Sequence, residues 1–345
     1  MLGEGGRRGV RAFRGEIRID TVIGSALRDN PHGDPVERPL VVCLPPGYET
    51  QPTRRYPVIY WLPGYTGTAL SALNHDPWLP SVPEALQRAW DVDAPPAILV
   101  VVDGFTRFGG AQYLNSPANG NYEDYVVHDV VGHVDASYRT LAAPAHRGLA
   151  GKSSGGYGAL VLAMRHPDVF GAVSAHSPDC YFELCYKPDF PKLLQAIARY
   201  GGVEAVLARF LELEKKPGDL MAAVSVAAMA MAYSPNPARP PYFFDLPFDP
   251  YTGELDATVW ARWLAWDPVN LVAEHAAALR GLRLLHFECG TRDEYHLHYG
   301  ARILARRLTA HQVPYLHEEF DDSHTRTAYR YPAAFARLAA ALAPP

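Results

Sequence analysis

The stretch RGLAGKSSGGYGAL, residues 147–160, contains the pattern that decides the fold. Residues 147–150 form a short apolar run typical of a buried strand, residues 151–155 match G-x-S-x-G, and the small residues after them predict a helix. A serine between strand and helix lies on a strained turn, where side chains two positions before and after it would collide with backbone. Gly151 and Gly155 occupy those positions, so the sequence predicts a nucleophile elbow at Ser153.

The predicted helix directs its free N–H groups and the positive end of its dipole toward the serine hydroxyl. We therefore expect the backbone N–H of Ser154 to donate to an oxyanion. Gly151-Lys152-Ser153 also resembles the end of a phosphate-binding loop, G-x-x-x-x-G-K-[ST]. That motif requires a glycine where His146 stands, and residues 147–150 favour a strand, so the elbow is the preferred interpretation.

Apolar, β-branched runs on both sides of this stretch predict further strands, covered on both faces. Helical patterns lie between several of them, and the alternation predicts an α/β protein with a doubly wound, mostly parallel sheet. The predicted strands are residues 40–44, 58–62, 97–102, 171–175, 282–287 and 314–320. The predicted helices include residues 124–138, 155–165, 299–311 and 331–342.

The alternation breaks at residues 177–279, where helical patterns precede a proline-rich, aromatic stretch. A segment of this length between two strands predicts a helical cap insertion over the carboxyl edge of the sheet, with a peripheral helical decoration as the alternative. The predicted organisation is a core of residues 1–176 and 280–345 and a cap insertion at 177–279. The chain length of 345 residues would also suit two domains.

Serine is a weak nucleophile at neutral pH, so a histidine base and a carboxylate that orients it are required. In an elbow fold of this kind the order along the chain is serine, acid, histidine. Asp293 closely follows the strand predicted at 282–287 and is the expected acid. Glu288 and Glu294 are its competitors, the first still within the strand pattern and the second better explained as a solvated charge.

His324 is the expected base because it lies in a loop between the last predicted strand and the last predicted helix. Asp321 and Asp322, just before it, are better explained as turn and capping residues. A second oxyanion donor should come from the loop after an earlier strand. The strand at 58–62 leads into Pro63-Gly64-Tyr65, where Gly64 lets the backbone approach a substrate, so the N–H of Tyr65 is the expected donor.

Taken together, these motifs resemble the esterase family that includes esterase D, feruloyl and acetylxylan esterases, enterochelin esterases and the mycolyltransferases. The resemblance runs from residue 41 to the C-terminus and rests on LPPGY (44–48), YPVIY (56–60), YEDY (122–125), the elbow with YGAL (157–160) and HPDVFG (166–171). It implies the α/β-hydrolase fold, ester hydrolysis, a catalytic triad and two oxyanion donors. Matched residue by residue, the triad is Ser153, Asp293 and His324, and the donors are Tyr65 and Ser154.

The sequence departs from the family pattern at two positions beside the site. Pro63 stands where many relatives have histidine, and Ser154 stands where many have methionine. Neither change removes a backbone donor, but both could reshape the acyl pocket. Large aromatic residues in predicted loops or in the insertion suggest a mostly apolar pocket. Those expected to contact the substrate are Trp78, Phe105, Tyr113, Phe244 and Trp266.

Composition narrows the partners that we expect. The net charge of −5 comes without a long block of like charge, so a nucleic-acid partner is not expected. The longest apolar stretch, residues 221–233, is too short for a membrane span, and the N-terminus does not resemble an export signal, so a cytoplasmic location is expected. The sequence leaves open whether the protein forms a homo-oligomer.

Metal and disulfide chemistry receive little support from the sequence. His286, His296 and His298 lack an identifiable additional ligand, so we predict no metal and no cofactor. Four cysteines without CxxC spacing predict free thiols, with a bond between Cys180 and Cys185 as the alternative in an oxidising compartment.

The expected activity is that of a serine carboxylesterase acting on a small-molecule ester through an acyl-enzyme on Ser153. Alternatives within enzymes are a feruloyl or other carbohydrate esterase, a thioesterase of the S-formylglutathione hydrolase type, and an acyltransferase. A non-catalytic binding protein on the same fold is the alternative from another class, because a fold alone does not establish function.

Overall fold

A mostly parallel eight-stranded sheet forms the centre of the computed structural model, which describes residues 13–344. The strands are β1 (Glu16–Ile23), β2 (Glu37–Leu44), β3 (Val58–Leu62), β4 (Ile98–Val102), β5 (Arg147–Lys152), β6 (Ala172–His176), β7 (Leu284–Gly290) and β8 (Leu316–Phe320). Their order across the sheet is β1-β2-β4-β3-β5-β6-β7-β8. β2 runs antiparallel to β1 and β4, and the other neighbours are parallel. The predicted α/β-hydrolase fold is confirmed.

Ten helices of seven or more residues lie in the described part of the chain. They are α1 (Val82–Trp90), α2 (Val131–Ser137), α3 (Ser154–Arg165), α4 (Phe190–Tyr200), α5 (Val203–Glu212), α6 (Gly218–Tyr233), α7 (Ala257–Leu264), α8 (Pro268–Arg280), α9 (Leu297–Ala310) and α10 (Tyr331–Leu342). α1 and α10 bury apolar side chains on one face of the sheet, and α3, α8 and α9 bury theirs on the other. This two-sided cover explains why β3 and β4 are apolar at every position.

Two of the differences from the sequence prediction have a clear physical reason. β1 was not predicted, because its isoleucines alternate with polar residues and face outward; Ile19 is 60% exposed on this edge strand. The helix predicted at 124–138 forms, but Tyr125–Val130 has π-helical winding before α2 begins. The wider π turn accompanies burial of the three consecutive residues Tyr125, Val126 and Val127.

The insertion between β6 and β7 carries α4 to α7, a proline-rich loop and α8. α8 packs against α3 and α9, as a crossover helix on the face of the sheet. Buried side chains of α4, α5 and α6 belong to the same hydrophobic core as the strands. The division into core and cap at residues 177 and 279 stays a prediction, but the apolar packing is continuous across it. None of the helices within residues 13–344 combines the length and apolar character needed to cross a bilayer.

Candidate active site

Ser153 lies at the turn between β5 and α3, where the sequence predicts a nucleophile elbow. Its backbone adopts φ 57° and ψ −125°, a conformation that is costly for any residue with a side chain. The Ser153 N–H donates to the carbonyl of His176 at 2.9 Å, and the Tyr157 N–H donates to the Ser153 carbonyl at 2.8 Å. The turn is therefore fixed from β6 on one side and by the first turn of α3 on the other.

Gly151 and Gly155 make this turn sterically possible. A Cβ atom on Gly151 would lie 2.3 Å from the Gly155 carbonyl oxygen, and one on Gly155 would lie 1.8 Å from that of Leu62. Both contacts are with backbone, which cannot move aside as a flexible side chain could. Neither position therefore has room for a side chain.

Asp293 and His324 are brought together by the loops after β7 and β8. Nδ1 of His324 donates to Oδ2 of Asp293 at 2.7 Å, and the Tyr295 N–H donates to Oδ1 at 2.9 Å. Burial acts to raise the pKa of Asp293, which is 2% exposed, but the hydrogen bond and charge of His324 outweigh it and lower the pKa. A carboxylate held in its charged form can orient the imidazole ring and stabilise it when protonated.

The other carboxylates considered in the sequence have different positions. Glu288 lies inside β7, where His176 and Arg330 donate to it, so it cannot reach His324 in place of Asp293. Glu294 is not a freely solvated charge, because its Oε2 accepts the backbone N–H of His324 at 2.8 Å. The sequence offered no signal for this contact, since the two residues are 30 positions apart.

Asp321 and Asp322 have the turn roles expected of them. Asp322 accepts the N–H of Ser323 and the hydroxyl of Tyr329, and Asp321 forms an exposed ion pair with Arg292. The loop that carries them approaches β7 closely, because a Cβ on Gly290 would lie 2.3 Å from the Asp322 carbonyl oxygen.

The backbone of Gly64 and Tyr65 lies beside the elbow. A Cβ on Gly64 would lie 3.2 Å from the Lys152 carbonyl and 3.5 Å from Cβ of Ser153. The Tyr65 hydroxyl donates to the Phe108 carbonyl, which ties this loop to the hairpin that pairs Phe105–Thr106 with Gly109–Gly110. Ser154 is the first residue of α3, so its N–H has no partner within the helix. Both predicted oxyanion donors therefore belong to segments next to Ser153.

A cavity of about 580 Å³ opens above Ser153 and His324. One part of its wall comes from the loops that carry Lys152, Ser153, His324 and Gly64. That the insertion caps the carboxyl edge of the sheet stays a prediction, but residues of the insertion do form another part of the cavity wall. Its contribution consists of Asp179, Cys185, Tyr186, Asp189, Lys192, Gly218, Met221, Ala222, Ser225 and Met229.

Most of the surface of the cavity wall is apolar, but the wall also carries charged groups. It includes two lysines and two aspartates, of which Lys192 and Asp189 form an ion pair at 2.7 Å. Burial lowers the pKa of Lys152, although the charges of Asp293 and Glu294 act in the opposite direction. The volume suits a small or medium-sized substrate.

Asp179 is the residue of this site that the sequence analysis missed. It lies three positions beyond the end of β6 and is 5% exposed. Its Oδ1 accepts the Ser153 hydroxyl at 3.3 Å, and its Oδ2 accepts the Ser154 hydroxyl at 3.0 Å. Burial raises the pKa of Asp179, against the hydrogen bond from Tyr186 and the charge of His324. Its position just after a strand that adjoins the elbow strand is a signal that could have indicated it.

The aromatic pocket predicted from the sequence requires correction, because none of its five residues is among those that line the cavity. The aromatic residues that line the cavity are Tyr65, Tyr186 and Tyr295 instead. Trp78 is 79% exposed under Arg326, Tyr113 is buried with its hydroxyl on the Pro63 carbonyl, and Phe244 lines a separate surface groove. Phe105 is in the hairpin that anchors Tyr65, and Trp266 packs under Arg165.

A cluster of candidate metal ligands lies on the sheet away from this cavity. The ligand atoms of His286, Glu288 and Glu318 are within 4.8 Å of one another. Arg330 donates to both glutamates, and Arg337 donates to Glu318, so the carboxylates already have cationic partners. All four cysteines are free and buried, which confirms the prediction of free thiols.

Comparison with known proteins identifies the family to which this chain belongs. The chain is similar in structure to a ferulic acid esterase (19% identity, covering 95% of this chain and 98% of that one, TM-score 0.60). It is also similar to an S-formylglutathione hydrolase from Agrobacterium tumefaciens (14% identity, covering 96% of this chain and 97% of that one, TM-score 0.59). A third similar structure is that of the fluorophosphonate-binding serine hydrolase F of Staphylococcus aureus (14% identity, covering 94% of this chain and 98% of that one, TM-score 0.60). These identities show a shared fold. Residues 35–339 match the family described as "Putative esterase", so the chain belongs to this esterase family and is a hydrolase of ester bonds.

Proposed function

We propose that this protein is a serine carboxylesterase in which Ser153 is the nucleophile, His324 the general base and Asp293 the residue that orients the base. The observation that carries the proposal is the meeting of an elbow serine and an Asp–His pair at one cavity. Ser153 and His324 both line that cavity. Asp293 Oδ2 accepts a hydrogen bond from Nδ1 of the His324 imidazole at 2.7 Å.

The first half of the reaction follows from these positions. Nδ1 of His324 donates to Asp293, so Nε2 is left as the basic nitrogen that can accept the Ser153 proton. The Ser153 oxygen then attacks the ester carbonyl carbon, and the carbonyl oxygen becomes an oxyanion. The backbone N–H groups of Tyr65 and Ser154 are the proposed donors to it, and one such donor typically contributes about 100-fold to 1000-fold in rate.

The second half releases the products. The protonated His324 gives its proton to the departing alcohol, which leaves an acyl group on Ser153. A water molecule then attacks the acyl carbon while His324 accepts its proton, and the acid product is released as Ser153 recovers its hydrogen. Asp293 stays ionised throughout, as its lowered pKa allows.

The choice of ester follows from the cavity rather than from the structural relatives. Its volume of about 580 Å³ favours a small or medium-sized ester, and its wall offers both apolar side chains to contact an acyl chain and charged groups to contact polar substituents. Ferulate esters and S-formylglutathione, the substrates named for two relatives, form the second group of compounds to assay.

The test is covalent labelling with a fluorophosphonate combined with hydrolysis of a p-nitrophenyl ester series from acetate to octanoate. Wild type should be labelled at Ser153 and should hydrolyse short esters, and Ser153→Ala should lose both properties. His324→Ala should lose most turnover while keeping its fold.

Ser225→Ala is the matched control, because Ser225 lies in the same cavity but its hydroxyl donates to the Ala222 carbonyl. This variant should still be labelled at Ser153. Absence of label on wild-type Ser153, together with absence of ester turnover, would favour the non-catalytic binding protein.

A further inference from the structure

Asp179 places a buried carboxylate against the oxygen that attacks the substrate. It lies in the loop after β6, lines the cavity with Ser153 and is 5% exposed. The mechanism proposed above does not use it. A buried negative charge next to a forming oxyanion would repel that oxyanion, so its presence in this position calls for a partner.

The two oxygens of Asp179 have different surroundings. Oδ2 accepts three hydrogen bonds from the protein, from the Tyr186 hydroxyl at 2.8 Å, the Ser154 hydroxyl at 3.0 Å and the Gln112 amide at 3.4 Å. Gln112 and the hydroxyl of Tyr233 support Tyr186 in turn, all within a buried network. These donors hold the carboxylate plane in one orientation.

Oδ1 depends on the nucleophile for its hydrogen bond. Within residues 13–344, the donor that it receives is the Ser153 hydroxyl, at 3.3 Å. That hydroxyl has a single proton, which must pass to His324 when Ser153 attacks. From that moment Oδ1 is a charged acceptor in a largely desolvated position without its donor, which is unfavourable unless the substrate supplies one.

We propose that Oδ1 of Asp179 determines acyl specificity by accepting a hydrogen bond from an ammonium or hydroxyl group on the α carbon of the acyl chain. The inference rests on the proposed function, because it requires the acyl carbon to bond to Ser153. The 3.3 Å separation between Ser153 Oγ and Asp179 Oδ1 sets the position of the donor. A donor about 2.8 Å from Oδ1 can be only a few bonds from a carbon attached to Oγ.

The charges around the cavity support a donor as the missing partner. Lys192 is paired with Asp189, and the carboxylates that act on Lys152 are Asp293 and Glu294. The charge of protonated His324 acts on Asp179. An ammonium on the substrate would neutralise Asp179, and a hydroxyl would fill its vacant acceptor.

The experiment compares three methyl esters of nearly equal shape: L-alanine, L-lactate and isobutyrate. They carry an ammonium, a hydroxyl or a methyl group at the same α position. In wild type, kcat/KM for the alanine ester, the lactate ester or both should exceed that for isobutyrate by at least about tenfold. Preference for alanine alone identifies charge pairing, and preference for both identifies hydrogen bonding as the shared chemistry.

Asp179→Asn is the informative variant. The three donors at Oδ2 should orient the amide with its oxygen toward them and its NH₂ group toward Ser153, which replaces the free acceptor by a donor. The ratio of kcat/KM for the donor esters to kcat/KM for isobutyrate should therefore fall to about one or below one. Glu212→Gln, which removes a carboxylate of an exposed ion pair outside the cavity, should keep the wild-type preference.

Fluorophosphonate labelling of Ser153 distinguishes failure of the proposed esterase function from failure of the proposed role of Asp179. If Ser153 in wild type is not labelled, the proposed function fails and the inference fails with it. If Ser153 is labelled and wild type hydrolyses isobutyrate as efficiently as both donor esters, the role of Asp179 is refuted while the esterase mechanism stands. The wild-type ratio decides this even if Asp179→Asn does not fold.

Discussion

The loops after β7 and β8 fix His324 at two points, and the two contacts differ in kind. Asp293 binds the imidazole through Nδ1, whereas Glu294 binds the backbone N–H of the same residue. The ring edge of His324 also packs against Tyr295, with the ring centroids 4.8 Å apart. Asp293 thus sets the tautomer of His324, whereas Glu294 positions its backbone.

Asp293→Asn should lower kcat for ester hydrolysis by on the order of 10³-fold to 10⁴-fold without unfolding the protein. The asparagine NH₂ group would face Nδ1 and favour the wrong tautomer, in which Nε2 carries the proton. Glu294→Gln is the matched control, since its amide oxygen can still accept the His324 N–H, and kcat should change by less than about tenfold. Equal losses in the two variants would contradict this division of roles.

At the scale of elements, the elbow depends on how closely α3 approaches β3. The contact is made at Gly155, where a Cβ would lie 1.8 Å from the Leu62 carbonyl oxygen. No side chain fits between the helix and the strand at this point. The strained conformation of Ser153 is therefore maintained by packing of two regular elements and not by the turn alone.

Gly155→Ala should lower the free energy of unfolding by more than about 3 kcal/mol, because the helix must move away from the strand. Gly132→Ala in α2 is the matched control, since a Cβ there meets nothing within 4 Å. Alanine has the higher helix propensity, so this variant should be more stable by up to about 1 kcal/mol. Urea unfolding followed by circular dichroism measures both, and a Gly155→Ala protein of wild-type stability would refute the packing argument.

The strands and the elbow could be predicted because their requirements are local. β3 and β4 are apolar along their whole length, and the elbow glycines lie within two residues of Ser153. β1 escaped prediction because an edge strand with outward isoleucines lacks the pattern of a buried one. Asp179 escaped because two of the donors that orient it are distant in sequence, Ser154 lying 25 positions away and Gln112 67 positions away.

At the scale of the whole molecule, a buried ionic cluster joins the sheet to the last helix. Glu288 on β7 accepts hydrogen bonds from His176 on β6 and from Arg330, just before α10. Burial alone would raise the pKa of Glu288, but the hydrogen bonds from His176 and Arg330 outweigh it and hold the pKa at about 2. A pKa so far below its ordinary value of 4.5 links the stability of the fold to pH.

The stabilisation from Glu288 should be complete above pH 4.5 and lost as the pH falls through 2, because the folded state holds the charged form more tightly than the unfolded state does. The shift corresponds to about 3 kcal/mol at neutral pH. Glu288→Gln should therefore be less stable than wild type at pH 7, and the gap should shrink by about 1–2 kcal/mol at pH 3.5.

Urea unfolding of both proteins at the two pH values measures this gap. Glu212→Gln is the control, because Glu212 forms an exposed ion pair with Arg209 and such pairs contribute about 0–1 kcal/mol. A gap between wild type and Glu288→Gln that is the same at both pH values would show that the charge of Glu288 does not stabilise the fold.

The two sides of α6 have different neighbours, and this bears on how such an enzyme could diversify. Met221, Ser225 and Met229, spaced four residues apart, line the cavity, whereas Leu220 and Val224 belong to the core shared with the sheet. Met229 also belongs to that core, so Met221 and Ser225 are the two positions where substitutions can change the shape of the cavity with least effect on the core. Duplicated copies of the gene could therefore acquire new substrates through a few changes on one helix, and a library restricted to these two positions samples the same route in the laboratory.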